Sequence, residues 1–290
     1  MNNKYNSKFS VYFRQNANLT EFKDSESWVV LSPIEKQIKE KIEKIGTPLK
    51  DWDIRINYGI KTGFNDAFII DGAKRKELIA KDPKSEDIIR PILRGRDIKR
   101  YGYDFADLWL INTHNGVKEK GIKPINIEDY PAVKKHLDQY YPQLKKRADK
   151  GETPYNLRNC AYMEDFSRPK VIYPNMTKFL PFVYDGKGFL TTQKCFIITG
   201  PKVEFLTAFL NSSLFKYCFK DDFPELQGGT RELSKIFFDK IPVIEISDKI
   251  NKDFEVLILK LQDFIFAQKP TKEIELEIDN KVFDLYSLNQ

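Results

Sequence analysis

Residues 170–198 decide the fold class, because three short apolar segments follow one another there between turn residues: Lys170-Val171-Ile172-Tyr173, Phe182-Val183-Tyr184 and Cys195-Phe196-Ile197-Ile198. Their length and their β-branched and aromatic residues predict strands. A helix running toward Asn211 is predicted to start at Gly200-Pro201. Strands and helices alternate irregularly, which favours a mixed sheet over a doubly wound parallel one. We therefore expect an α/β fold of the mixed α+β type.

The segments before this region continue the same mixed pattern. Residues 10–13 and 28–31 read as short strands, and so do 54–58, 67–70 and 107–112, whereas 73–80 and most of 127–148 read as helical. Ser32, followed by Pro33 and Glu35, predicts a helix start with a capping box. An apolar stripe on that helix is expected to face the core, and it consists of Ile34, Ile38, Ile42 and Ile45.

The C-terminal residues predict two amphipathic helices joined around Pro270, a helical hairpin. The first helix has apolar residues at helical spacing, namely Phe254, Leu257, Ile258, Leu261, Phe264 and Ile265, and the second has Ile274, Ile278, Val282 and Leu285. Two interpretations stay open. Either the hairpin covers the sheet, or it forms a docking surface for another domain or subunit.

Composition limits the possible classes. The chain has 290 residues, of which 41% are hydrophobic and 13% aromatic, enough to bury a sizeable core. No apolar run is long enough for a membrane span, and the N-terminus has no signal core, so we expect a cytoplasmic protein that contacts no membrane. Three separated cysteines predict free thiols, and two histidines outside any metal-ligand spacing argue against zinc chemistry and histidine-based catalysis.

Charge is distributed unevenly. Residues 239–290 carry 7 Lys and 11 acidic residues, a net charge of −4, which leaves +10 for residues 1–238 out of the total of +6. A basic body with an acidic tail suggests a polyanion as the partner of the body. Lysine-rich surfaces are also common in soluble proteins, so charge alone leaves the partner open.

Several loops and stretches carry candidate contacts with a nucleic acid. Arginine and lysine neutralise phosphates, arginine can pair bidentately with guanine, and glutamine with adenine, while glycines permit close backbone approach. Each stretch could equally be an ordinary turn or a solvated helix face. The candidates are Lys61, Thr62 and Asn65; Arg94, Arg96, Lys99 and Arg100; Lys145, Lys146, Arg147, Arg158 and Lys178; and Thr192, Gln193, Gln227 and Arg231.

Catalytic motifs are not recognisable. We find no Asn-Pro-Pro-Tyr-type methylation motif, no glycine-rich cofactor loop after an early strand and no nuclease array of acidic residues with lysine. The pair Asp221-Asp222 reads as a solvated turn. We therefore assign no catalytic residue, no metal ligand and no cofactor to this chain, and interpret it as a binding module.

Several runs, in order, resemble the TaqI-like C-terminal specificity domain. They are residues 59–70, 90–98 (Arg-Pro-Ile-Leu-Arg-Gly-Arg-Asp-Ile), 155–162, 166–174, 205–212, 241–242 and 274–286. Such domains form the C-terminal part of many type IIG restriction–modification enzymes and related adenine-N6 DNA methyltransferases. The resemblance implies that this chain binds double-stranded DNA and selects the sequence to be modified. It also implies kinship with type I specificity subunits.

The same resemblance implies a larger parent enzyme. An upstream methyltransferase domain of the same polypeptide would use S-adenosylmethionine, and a nuclease domain, where present, would use Mg²⁺. We accordingly divide the chain into a linker or end of a preceding domain (1–31), a target-recognition domain (32–246) and the helical hairpin (247–290). Two other interpretations of the chain stay open. It could be a protein-interaction scaffold or specificity-subunit-like module, or a complete enzyme with an unrecognised active site.

Overall fold

The computed structural model of the chain describes residues 32–288, so the strands predicted at 10–13 and 28–31 lie outside the described residues. The helices are α1 (Pro33–Ile45), α2 (Asn65–Phe68), α3 (Gly72–Lys81), α4 (Pro131–Asp138), α5 (Tyr141–Lys146), α6 (Val203–Asn211), α7 (Ser213–Phe219), α8 (Lys235–Phe238), α9 (Asp248–Phe266) and α10 (Lys272–Leu285). The strands are β1 (Thr47–Pro48), β2 (Arg55–Tyr58), β3 (Ile69–Asp71), β4 (Ile89–Leu93), β5 (Leu108–Ile111), β6 (Lys170–Pro174), β7 (Met176–Thr177), β8 (Val183–Asp185), β9 (Leu190–Thr191), β10 (Cys195–Thr199), β11 (Glu225–Leu226), β12 (Thr230–Glu232) and β13 (Pro242–Val243).

The three segments that decided the fold class form the centre of the molecule. They are the neighbours β10, β6 and β8 of an antiparallel four-stranded sheet in the order β2-β10-β6-β8. Successive side chains of a strand point to opposite faces. Val171 and Ile198 therefore join one core with α1, α6 and the C-terminal helices, while Ile172 and Ile197 join a second core on the other face.

A second four-stranded sheet has the order β3-β5-β4-β9 and confirms the mixed topology. Its β3–β5 and β5–β4 pairs are antiparallel, whereas β4 runs parallel to β9, with Leu93 opposite Thr191. Strand β4 was not predicted as a strand from the sequence. Pro91 inside it lacks an N–H, a feature that argues against a central strand. Strands β11, β12 and β7 form a small ribbon, and β1 pairs with β13.

The C-terminal hairpin packs on the body with one apolar face, and its role as a docking surface stays a prediction. Phe254, Ile258 and Leu261 are at most 1% exposed and belong to the same core as α1 and the central sheet. On the buried face, Gln262 Nε2 donates to the carbonyl oxygens of Tyr101 (3.0 Å) and Tyr184 (2.7 Å). The hairpin is thus continuous with the body through one core.

The start of α1 agrees with the capping prediction, but its stripe does not. Ser32 Oγ accepts from the N–H of Glu35, and a carboxylate oxygen of Glu35 accepts from the N–H of Ser32 at 2.6 Å. Ile42 is buried, whereas Ile34 is 64% exposed and Ile45 42% exposed. The helix meets the body along its middle, through Ile38 and Ile42, so only part of the predicted stripe faces the core.

Residues 67–70 also differ from the predicted strand. Ala67 and Phe68 end the one-turn helix α2, and β3 begins only at Ile69. A run of four apolar residues does not distinguish a buried helical turn from a strand, because both bury every residue.

Within residues 32–288 no helix is long and apolar enough to cross a membrane, and no group of three or more His, Cys, Asp and Glu side chains is arranged to hold a metal ion. All three cysteines are free thiols. His136 is buried in the second core, with Nε2 2.9 Å from the carbonyl oxygen of Ala67, which gives it a structural role.

Candidate nucleic-acid interface

A cleft of about 950 Å³ lies where three loops that are distant in sequence meet. We call it the basic cleft. Seven of the sixteen residues that the sequence singled out line it: Asn65, Arg94, Arg96, Lys99, Arg100, Thr192 and Gln193. The remaining wall comes from residues around β7, including Met176 and Phe179, and from Lys216 of α7. The fold therefore brings together the candidate loops around Asn65, around Arg94–Arg100 and around Thr192-Gln193.

Backbone hydrogen bonds hold these loops in register. The N–H of Ile60 donates to the carbonyl of Thr191 at 2.7 Å, and the N–H of Gln193 donates back to the carbonyl of Ile60 at 3.1 Å. The N–H of Thr192 donates to the carbonyl of Leu93 at 3.1 Å, directly beyond the parallel pairing of β4 with β9. The floor of the cleft is thus built from main-chain contacts and does not depend on the side chains that face into it.

Glycine is required at two positions of the first loop. A Cβ on Gly59 would lie 2.1 Å from the carbonyl oxygen of Thr192, so the close approach of the two chains needs a residue without a side chain. Gly63 has φ +68°, and a Cβ there would meet Asp149 at 3.1 Å. Both glycines serve packing within the protein.

Arg94 is held in one orientation by Asp97. It follows β4, and its Nε and Nη2 donate to the two carboxylate oxygens at 3.0 and 2.8 Å. Asp97 is 4% exposed, and its hydrogen bonds raise the pKa of the Arg94 guanidinium. A guanidinium has five N–H donors, so Arg94 keeps donors for another partner after pairing with Asp97. Asp97 therefore orients the Arg94 guanidinium.

Gly95 lines the basic cleft and also packs closely against the central sheet. A Cβ at this position would lie 3.3 Å from Cβ of Pro174, at the end of β6. This close packing favours glycine here, and the approach of a DNA duplex to the Gly95 backbone stays a prediction.

The charge of the basic cleft is one-sided. Among the described residues that line it are six cations and no carboxylate, the cations being Arg94, Arg96, Lys99, Arg100, Lys194 and Lys216. Three have acidic partners behind the lining, namely Asp97, Asp104 and Glu275. The side chains of Arg96, Lys194 and Lys216 have no hydrogen-bond or ion-pair partner within residues 32–288. Burial, and then the nearby Arg100 cation, lower the pKa of Lys216, and the Asp279 carboxylate offsets part of this shift. Uncompensated like charges in a concave site attract anions.

Arg100 lines the cleft but is engaged in the fold. Its Nε and Nη2 donate to the carbonyl oxygen of Asn211 at 3.2 and 3.1 Å, and its Nη1 forms an ion pair with Glu275 of α10. Its guanidinium also lies 4.9 Å from the centre of the Tyr101 ring. We therefore assign Arg100 a role in joining the cleft to the hairpin instead of DNA contact.

Arg147 and Arg231 are buried, which corrects their assignment as DNA contacts. The guanidinium of Arg147 donates to the carbonyl oxygens of Thr62, Asp149, Pro154 and Asn156. Burial lowers its pKa to about 10. Arg231 donates to the carbonyl of Phe223 and to the carboxylates of Asp221 and Glu225. In both arginines the guanidinium N–H groups donate to acceptors of the protein itself. Neither side chain is therefore available to a phosphate.

Asp221 and Asp222 lie in the turn that follows α7, and both belong to ion pairs. Asp221 pairs with Arg231 at 2.7 Å, and Asp222 pairs with Lys39 of α1 at 2.8 Å. Thr62 is also buried, and its hydroxyl donates to Oδ1 of Asn65 at 2.5 Å. Thr62 therefore shapes the loop, and Asn65 is the member of this pair that faces the cleft.

The other candidates are exposed or partly exposed but do not line the cleft. Lys178 is next to the lining residues Thr177 and Phe179, and Lys61 lies over the Tyr58 ring at 5.2 Å. Lys145 and Lys146 end α5, Arg158 pairs with Asp149 at 2.8 Å, and Gln227 lies in the turn between β11 and β12. The second basic stretch, residues 145–158, is thus separate from the cleft lining.

The lining residues outside the candidate set include Met176, Phe179, Lys194 and Lys216. Lys194 directly follows the candidate pair Thr192-Gln193, and this adjacency could have included it. Lys216 is a single cation within the apolar run of α7, Ser213–Phe219. A cation in such a run is a signal for a charge aimed at a partner or cavity. Nothing in the local sequence places Met176 or Phe179 beside Arg96.

Comparison with known families agrees with this architecture. The model of the family described as the TaqI-like C-terminal specificity domain matches residues 90–243. The chain belongs to this family. The match contains β4, the Arg94–Arg100 loop, the central strands β6, β8 and β10, and the loop Thr191–Lys194. Most residues that line the basic cleft therefore belong to the matched specificity domain.

Two solved structures share the fold. One is the type IIL restriction–modification enzyme MmeI in complex with DNA, with a TM-score of 0.59, 12% identity and coverage of 83% of this chain and 34% of that one. The other is the type IIG restriction endonuclease BpuSI, with a TM-score of 0.52, 16% identity and coverage of 89% of this chain and 34% of that one. The chain thus spans about a third of the length of each.

Proposed function

We propose that this chain is the DNA-recognition module of a restriction–modification enzyme and that the basic cleft receives the duplex. One observation carries the proposal: three loops distant in sequence converge on a cleft that six cations line. Among residues 32–288, no carboxylate lines this cleft, and three of the cations have no hydrogen-bond or ion-pair partner. Phosphates supply the missing anions, and their neutralisation provides the sequence-independent part of binding.

Within this proposal the lining residues divide by role. Arg96, Lys194 and Lys216 contact phosphates, because they are cations without competing partners. Arg94 is fixed by Asp97 and reads a base edge, because a rigid guanidinium distinguishes bases through its bidentate geometry. Asn65, Thr192 and Gln193 are the polar side chains that discriminate neighbouring base pairs.

The family and the two structural neighbours support a wider proposal for the parent protein. We propose a type IIG-like enzyme that methylates adenine N6 with S-adenosylmethionine in a methyltransferase domain upstream in the same polypeptide, and whose endonuclease domain, if present, uses Mg²⁺. No residue of this chain is assigned to that chemistry. We place the protein in the cytoplasm, where the DNA is and where the three free thiols stay reduced.

The DNA-binding proposal is tested by anisotropy with a labelled duplex of about 30 base pairs at low salt. The wild-type chain is expected to bind. The triple variant Arg96→Gln, Lys194→Gln, Lys216→Gln is expected to lose at least about tenfold in affinity, which is modest for three phosphate contacts.

A matched control carries the same change in net charge elsewhere. Lys44→Gln, Lys76→Gln and Lys260→Gln alter exposed residues that do not line the cleft. This triple variant is expected to bind like the wild type. Equal losses in both triple variants would show that only net charge matters, and no binding by the wild type would refute the assignment. Sequencing the methylated adenines made by the full-length parent tests the wider proposal.

A further inference from the structure

Phe179 is the most exposed large apolar side chain of residues 32–288, at 78% of its surface. It lines the basic cleft together with Met176, which is 51% exposed. Exposure of a phenylalanine ring to water is unfavourable, because the ring loses the free energy it would gain by burial. A partner surface that covers the ring would recover that free energy.

The loop that presents Phe179 is anchored at both ends. On one side, β7 pairs with β12, with Thr177 opposite Arg231, and Thr177 Oγ1 accepts from the N–H of Phe179 at 3.1 Å. On the other side, Phe182 exchanges two hydrogen bonds with the buried side chain of Asn211, at 3.2 and 2.7 Å. The ring therefore projects from a fixed support.

Leu180 adds a second indication of a specific conformation. It is 2% exposed and has φ +45°, in the left-handed region that leucine rarely adopts. The left-handed backbone at Leu180 points its side chain into the core, and the preceding residue, Phe179, then points away from the core. Backbone strain of this kind occurs at functional sites, where the surrounding packing maintains it.

The surroundings of the ring favour DNA over protein as the partner. Met176 and Phe179 share the cleft with the unpartnered cations Arg96, Lys194 and Lys216, and Lys178 is exposed beside them. Lysine is depleted in protein interfaces. Apolar wedges flanked by cations are instead typical of proteins that insert a side chain between base pairs and bend the duplex.

We propose that Phe179 is a wedge that inserts into the base stack of the bound duplex, while the cations of the basic cleft hold the phosphates on either side. This proposal rests on the proposed DNA-binding function and adds a distortion of the duplex to it. The wedge separates one base step, which costs unstacking free energy, and the buried ring offsets part of that cost. Phe179 acts here as a positioning residue and takes no part in a chemical step.

The test compares two duplexes of equal length and sequence, one intact and one with a single abasic site, which is already partly unstacked. Unstacking costs less free energy in the abasic duplex. We therefore expect the wild type to bind the abasic duplex about tenfold more tightly than the intact one. Phe179→Ala is expected to bind both duplexes equally. Phe179→Trp, which keeps a large ring, is expected to retain the preference. Binding is measured with the 290-residue chain.

A control and a separate criterion keep the two proposals distinguishable. Ile236→Ala truncates a residue on α8 that is 65% exposed and does not line the cleft, and it is expected to keep the wild-type preference. One result would refute the wedge alone: the wild type binds and Arg96→Gln weakens binding, but Phe179→Ala changes neither the affinity nor the preference for the abasic duplex. The exposed ring would then be assigned to a contact with a protein. If the wild type binds neither duplex, both proposals fail.

Discussion

The carboxylate of Asp97 accepts three hydrogen bonds from Arg94: from the backbone N–H at 2.8 Å, from Nε at 3.0 Å and from Nη2 at 2.8 Å. One buried acid thus fixes both the main chain and the side chain of the arginine at the end of β4. The guanidinium enters the basic cleft in a defined orientation, and pre-organisation of this kind is what base recognition requires.

We predict that Arg94→Ala costs about 1–3 kcal/mol of binding free energy and relaxes sequence preference at one base pair. Asp97→Asn is expected to relax the same position, although Asp97 itself is buried, because the guanidinium then loses its orientation. Selection of bound sites from a random duplex library measures both effects. Uniform weakening across all sequences would instead make Arg94 a phosphate contact.

The salt dependence of binding is a second prediction. If about five phosphates are neutralised, log K should fall with log salt at a slope of roughly −4 to −5. Each of the single variants Arg96→Gln, Lys194→Gln and Lys216→Gln is expected to make that slope shallower by about one. Titration at several salt concentrations gives the slope. A slope that stays unchanged in all three variants would move the phosphate contacts out of the cleft.

Lys145 and Lys146 provide a separate test of the second basic stretch. Both are exposed at the end of α5 and do not line the cleft. Lys145→Ala and Lys146→Ala are expected to weaken binding to a specific and a scrambled duplex alike, since phosphate contacts carry no sequence information. Unaltered binding to both duplexes would restrict the interface to the basic cleft.

The buried ion pair of the central sheet should control stability. Lys170 Nζ lies 2.6 Å from Asp185 Oδ2 between the paired strands β6 and β8, and both side chains are 0% exposed. Asp185→Asn is expected to lower the free energy of unfolding by about 3–5 kcal/mol, because it leaves the Lys170 ammonium without a counter-ion. Asp239→Asn, in an exposed pair with Lys235, should cost less than about 1 kcal/mol. Urea denaturation compares them, and similar losses would contradict the prediction.

The packing of the hairpin can be tested within one helix. Leu261 of α9 is 0% exposed and Val256 of the same helix is 58% exposed. Leu261→Asp is expected to destabilise the chain by about 3–5 kcal/mol, because an unpaired charge enters an apolar core. Val256→Asp should change stability by less than about 0.5 kcal/mol. If both variants unfold at the same urea concentration as the wild type, α9 does not stabilise the body.

Local patterns in the sequence predicted much of the fold. The capping box of Ser32 and Glu35 and the period of α9 involve residues three or four apart, and such contacts form wherever the helix forms. Strand β4 was missed because Pro91 weakens the strand pattern, although its neighbours β5 and β9 supply the pairing. Contacts between distant segments therefore determine that β4 is a strand, and a single sequence does not show such contacts.

The site was predicted only in part, again because contacts between distant segments decide which side chains face the cleft. Charge and loop position identified Arg94, Arg96 and Gln193, which do face the cleft. Arg147 has the same chemistry, but folding brings the carbonyl oxygens of Thr62 and Asn156 to it and buries it. Whether a cation faces a cavity or a set of carbonyls depends on which distant segments surround it.

The main-chain contacts between Ile60, Leu93 and Thr191–Gln193 have an evolutionary consequence. Substitutions at Arg96 or Gln193 alter the chemistry presented to a ligand, while every hydrogen bond that joins the loops remains, because none of those bonds uses a side chain. Such a surface can acquire a new target sequence through a few point mutations without a loss of stability. Variation among descendants of this chain should therefore concentrate at these side chains, with Gly59 and Gly63 retained.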